Sequence, residues 1–288
     1  MAKYVRHFKT VSDFNTARID DYIEPWTSVT DGKGLDYNKP YDKWIHTPFT
    51  IEALGSGNIT WALGTKTIQY LKNDGIWETM NSGTTISVVE GDEVQFKGTN
   101  TNYRGNPISS TGQFNVKGNI MSLTDGDNFE NANTVNESAF EGLFSGCTYL
   151  ISADYLKLPV SRLVKSCYNC MFYNCTSLVA APEFIATTLA NYCCYGMFKN
   201  CSSLTKAPEL YATTLVFHCY DSMFFGCTNL NYIKCMAMSN QNSNSISNWV
   251  SGVAAVGTFI KNSSIISDFW TTGVSGIPSG WTVQTATE

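Results

Sequence analysis

A mainly β fold is predicted, a small β-sandwich followed by a short solenoid with a C-terminal cap, and three observations predict it. Between residues 144 and 238 one motif is written three times, as MFYNCTSLVAAPEF, MFKNCSSLTKAPEL and MFFGCTNLNYIKC, after a degenerate copy, LFSGCTYLISADYL. Phe172, Phe198 and Phe224 are 26 residues apart, and Phe144 lies 28 upstream of Phe172. A fixed period of this size is the mark of coils that bury their apolar sides by stacking on one another. Upstream, the apolar period falls to two between Gly-rich turns, as in a sandwich of short strands. After Ser239 the motif stops, where a solenoid needs its end covered.

Residues 1–47 read as an arm, because they hold too little periodic apolar sequence for a core of their own. Val11 to Arg18 fits a short helix with Ser12 as N-cap, and a turn at Asp31-Gly32-Lys33-Gly34 precedes Tyr37, Tyr41 and Trp44. Residues 48–135 are the predicted sandwich. Phe49-Thr-Ile51-Glu-Ala53 and Ile59-Thr-Trp61 alternate, Asn73-Asp74-Gly75 is a strong hairpin turn, and Glu90-Gly91-Asp92 turns between two further strands. Asp125-Gly126-Asp127 lacks the remaining ligands of a calcium loop and is read as a plain turn.

Residues 136–238 are the repeats. Leu150, Leu178, Leu204 and Leu230 lead into short strands whose Ala153, Ala181, Ala207 and Ile233 face inward. A second apolar pair follows in Leu163 with Cys167, Leu189 with Cys193 and Leu215 with Cys219; the Met-Phe pair then lies across the coil in a short helical turn. Pro182 and Pro208 stand where a parallel ladder wants an N–H donor, so those strands are expected to be short. Residues 239–288 are the cap, with a short amphipathic helix over Ile246 to Val253 and strands near Thr258–Lys261 and Trp281–Val283.

The ten cysteines follow the repeat. Cys147, Cys175, Cys201 and Cys227 occupy one column; Cys167, Cys193 and Cys219 occupy another. A ladder of buried free thiols is the favoured reading. A disulfide between rungs meets the distance requirement more easily than the torsional one. Zinc is suggested by Cys167-Tyr-Asn-Cys170 and the adjacent Cys193 and Cys194, but the second pair lacks a spacer and no His lies at ligand spacing, so no metal and no cofactor is expected.

Only 15% of residues are charged, against roughly 25% in an average soluble protein, and the net charge is −5. No basic patch is visible, which argues against a nucleic-acid partner. The N-terminus has positive charges but no apolar run of about 7–15 residues behind them, so no export signal is read, and no stretch is long enough for a membrane helix. His7 and His46 lie in the arm, and His218 precedes Cys219 directly; adjacent residues of an extended segment point to opposite sides, a poor start for a dyad. No nucleophile elbow, phosphate loop or metal triad is present, so the chain is read as non-enzymatic, with a carbohydrate-active site of scattered carboxylates as the enzyme alternative.

The stretch CTSLVAAPEFIATTLANYCCYGMFKNC resembles the BspA-like leucine-rich repeats of gut Bacteroidales, on its Cys, Leu, Pro and Phe columns. The ending NWVSGVAAVGTFIKNSS through SGIPSGWTV looks like the cap of such arrays in Bacteroidales proteins and their phages, and the opening KYVRHFKTVSDFNTAR is similar to phage structural proteins. The chain departs from the pattern in its longer period and in the lost Ala-Pro-Glu of the first copy. The resemblance implies a binding module. Without an export signal, the expectation is a virion protein, a tail or head fibre component for host attachment, with the arm anchored to other virion proteins and the repeats facing a bacterial surface glycan or protein. The alternative is a bacterial cell-surface adhesin. A homo-oligomer such as a trimer is possible for a fibre, although no heptad run specifies one.

For such a module the strand face is the expected platform. Positions two and four after each column Leu point out: Ser152 and Asp154, Ala180 and Pro182, Lys206 and Pro208, Tyr232 and Lys234, with Glu183 and Glu209 beside them.

Overall fold

The computed structural model describes residues 42–105, 107–241, 244–265 and 269–286. The chain divides into two units, Met1–Lys43 and Trp44–Glu288. The predicted Val11–Arg18 helix and nearly all of the arm lie outside the described residues. The second unit is mainly β, with 30% strand against 6% helix, and ends in a β-solenoid of about five turns.

Eight strands come first: β1 (Phe49–Ala53), β2 (Gly57–Trp61), β3 (Ile68–Lys72), β4 (Glu78–Met80), β5 (Thr85–Val88), β6 (Glu93–Lys97), β7 (Ile108–Ser110) and β8 (Phe114–Asn119). They form two antiparallel groups, β8–β1–β6–β3–β4 and β5–β2–β7. Alternation decides the facing: Val94 and Phe96 of β6 are buried between half-buried neighbours, and Ile59 and Trp61 of β2 likewise. Trp61 meets Phe96 edge-on at 5.5 Å, so the two groups share a core. Asn73 takes a positive φ of 52° in the β3–β4 hairpin, as its turn requires. The Asp125-Gly126-Asp127 stretch is helical: α1 (Ser122–Asp125) runs into a 3-10 turn over Gly126–Asn131, and Asp127 pairs with Lys97 at 2.7 Å.

The remaining strands are β9 (Leu150–Leu158), β10 (Glu183–Phe184), β11 (Thr214–Leu215), β12 (Tyr232–Cys235), β13 (Ser239–Asn240), β14 (Thr258–Lys261) and β15 (Thr282–Thr285). All pair in parallel, as successive turns of one coil must. β9 also pairs in parallel with β8, which welds the first turn to the antiparallel sheet. The antiparallel part therefore covers one end of the solenoid, and the core is continuous: Phe96, Phe49, Phe144, Phe172, Phe198, Phe224 and Trp249 follow one another at 5.2–6.0 Å.

The Met-Phe segments are not helical turns. Each is a run in which odd N–H groups close local turns and even ones bond to the next coil. Cys167, Asn169, Met171 and Tyr173 donate three residues back, while Tyr168, Cys170, Phe172 and Asn174 donate to Cys193, Tyr195, Met197 and Lys199. Such alternation places every fourth residue in the left-handed region: Ser138, Gly142 and Gly146, then Ser166, Cys170 and Asn174, then Tyr192, Gly196 and Asn200, then His218, Ser222 and Gly226. Tyr and Cys rarely adopt this conformation; here the bonds to the neighbouring coil hold them in it.

The cysteine columns have a bonding role. The thiols of Cys175, Cys201 and Cys227 each donate at 3.0 Å to the carbonyl of the preceding coil's Phe144, Phe172 or Phe198, and Cys147 donates to Ile108 at 2.9 Å. Cys167, Cys193 and Cys219 are fully buried, and all ten sulfurs are free thiols. Burial pushes Cys147, Cys227 and Cys235 up to about 12.

The period outlasts its motif. Tyr220, Ser222, Phe224 and Gly226 donate to Ser245, Ser247, Trp249 and Ser251, and Tyr232 pairs with Thr258 across a further 26 residues. Residues 245–261 are thus another turn of the solenoid, and the stretch expected as an amphipathic helix is its run of turns. Asn248 and Gly252 take the positive φ that Ser222 and Gly226 take one coil earlier.

Candidate functional site

The strand face of the repeats carries a groove of about 330 Å³ between the second and third coils. Its origin is the proline pair. Ser152 bridges to Ala180 and Lys206 to Tyr232, but among the described residues no main-chain hydrogen bond joins 179–184 to 205–211. Pro182 and Pro208 lack the N–H a ladder would use there, so the sheet is interrupted between these coils and side chains line the gap.

The prolines themselves are buried, not outward as their positions predicted. From the Lys206–Tyr232 bridge to the Leu210–Cys235 bridge, the third coil takes four steps and the fourth takes three. One extra residue is a bulge that reverses facing beyond it. Pro208 consequently turns in, and Glu209 emerges.

Of the predicted residues, the charged Asp154, Glu183, Lys206 and Glu209 line the groove, together with Ala180, Pro182 and Pro208. Asp154 is exposed, and its N–H bonds to the hydroxyl of half-buried Ser152, which lies outside the groove. The Glu183 carboxylate stands 3.5 Å from Lys157. Tyr232 and Lys234 support the groove from the fourth coil: the Lys206 ammonium lies 5.2 Å from the Tyr232 ring centre, and Lys234 donates to Glu209 at 2.8 Å. That bond, helped by the Tyr211 hydroxyl at 3.0 Å, holds the Glu209 carboxyl below its ordinary value and the Lys234 ammonium above its own. Tyr211 and Val179, 41% and 49% exposed, complete the groove and were not predicted; Tyr211 became outward-facing only through the bulge.

The groove offers hydrogen-bonding carboxylates, one ammonium and an exposed aromatic ring around an apolar floor. Such groups can hydrogen-bond and stack on a ligand, and among the described residues of the groove no nucleophile is set against a base. His218 turns to Asp221 at 2.6 Å, whereas buried Cys219 directs its thiol to the Ser245 carbonyl at 3.8 Å, so the adjacent pair does not meet. Among the described residues no group of three His, Cys, Asp or Glu is placed to hold a metal ion, and no helix is long and apolar enough to cross a membrane.

No family model matches the chain, and no curated protein or solved structure is significantly similar to it.

Proposed function

We propose that this protein is a non-enzymatic binding protein of the fibre type, a BspA-like leucine-rich-repeat array on a β-sandwich base, that attaches a phage particle to a bacterial surface glycan or protein. The observation that carries the reading is the groove over the interrupted ladder. Its charged groups are held by their own neighbours, Glu209 by Lys234 and Tyr211, and Lys206 by Tyr232, so they are pre-organised for a ligand. Side chains on a rigid scaffold, with differing residues at equivalent positions of each coil, suit recognition.

Two measurements test it. Mass spectrometry of purified phage particles should find the protein at a fixed ratio to the capsid subunit; recovery from intact cells instead would replace the virion by the cell surface. Fluorescently labelled protein should attach to intact Bacteroidales cells, and the double variant Lys206→Glu, Tyr211→Ala should attach at least about tenfold less while melting unchanged, the loss expected when central contacts are removed. Equal attachment would discard the groove as the site.

A further inference from the structure

At the end of the solenoid farthest from the antiparallel sheet, no further strand is added among the described residues. The parallel sheet has the order β12–β14–β15, which leaves β15 at its edge, and all four of its residues are exposed. The N–H groups of Thr282 and Ala286 point inward, to Gly257 and Lys261. Alternation along the strand turns those of Val283 and Thr285 outward. Edge strands are ordinarily blunted by a charge, a proline or a bulge, and Thr282-Val283-Gln284-Thr285 has none of these. In the last turns of the solenoid, Val256, Val274 and Val283 are 73%, 50% and 45% exposed, Val274 where it stacks on Val250.

We propose that this end is a homodimer interface, two copies meeting edge to edge along β15 across a two-fold axis. Charge selects the occupant. Residues 249–257 and 269–286 contain no Asp, Glu, Lys or Arg, so these segments, unlike Lys261 on β14 beside Thr285, offer no charge to a partner. At a two-fold contact each residue meets a copy of its own neighbours, and uncharged segments are free of the like-charge repulsion that such a contact imposes. The edge complements itself as well: antiparallel pairing about Gln284, which sets Val283 of each copy against Thr285 of the other, would satisfy the outward N–H and carbonyl groups of both strands. The joined sheet would run β12–β14–β15 and back through the second copy.

Light scattering on the eluting protein, over about a hundredfold range of concentration, should give twice the chain mass at the upper end. Val283→Pro removes an outward N–H and leaves the inward ladder whole, so it should elute as a monomer that melts where wild type melts when diluted to monomer. Val274→Lys should do the same by charge. A wild-type monomer throughout, a trimer, or a dimer that both variants retain would overturn the proposal.

Discussion

Phe172 and Phe198 lie face over face, 5.2 Å apart with 2° between their planes. Rings so aligned on consecutive coils fill the same slot of the interior, which is why the motif repeats the residue without variation there. Phe198→Ala should cost about 3–5 kcal/mol, read as a shift in the denaturation midpoint. The adjoining coils lose a neighbour on each side, because Phe172 and Phe224 both stack on this ring.

The thiols should be silent in the folded protein. Of the ten, Cys170 alone is half-buried, and the other nine are buried. Burial also raises the Cys170 thiol above its usual range, so it too should react slowly. A chromogenic disulfide reagent should count one thiol in the native protein and ten after denaturation. Two or more fast-reacting native thiols would contradict the burial of the columns.

Gly226 answers to Asn200. Asn200 donates to Asn174 across the coils at 2.8 Å and presents its own oxygen to Gly226, where a Cβ would collide with it; Gly226 also holds a φ of 74°. Gly226→Ala should therefore lose about 1–3 kcal/mol from backbone strain and more from the collision. Adding Asn200→Ala should return the collision part only, a coupling that a double-mutant cycle measures.

Acid should weaken the base of the molecule through Asp92. Its carboxylate accepts from Asn73 at 2.8 Å, from the Lys72 ammonium at 2.8 Å and from the Val89 N–H at 2.9 Å, and these bonds lower its pKa to about 2. The folded value is below the unfolded one of about 3.9, so the stabilisation is present above that pH and is lost as pH falls toward about 2. Asp92→Asn should melt lower than wild type at neutral pH, with the two curves converging in acid. A constant difference would mean that the charge is not what stabilises the turn.

Much of the solenoid was legible because its columns are chemical: Leu178, Leu204 and Leu230 share one environment and keep one side chain. The turn at 245–261 was not, since Trp249 replaces the Met of the column and Ser245 the Cys; only Asn248 and Gly252, 26 residues after Ser222 and Gly226, carried the signal, and both act through φ. The alternating turns were hidden for the same reason. Ser138, Ser166 and Tyr192 are not residues that advertise a positive φ, and the force that puts them there comes from the next coil. At the groove, Pro182 and Pro208 announced the interrupted ladder. The bulge did not show, because a single extra residue between two bridges leaves no mark on composition, and with it went the facing of Pro208 and Tyr211.

The run of alternating turns is a phase-locked segment. In each of the four copies that the motif spells, eight residues separate its first left-handed position from its last, as from Ser138 to Gly146 or His218 to Gly226. One residue added inside would exchange the roles of the local and the inter-coil donors for everything after it. The strand side is under no such rule: from Ser152 to Lys157 the first coil takes five steps where the second, from Ala180 to Glu183, takes three, and the pairing recovers. Length variation in this architecture is therefore confined to one side of the coil, the side that bears the groove, so the array can change what it touches without losing count.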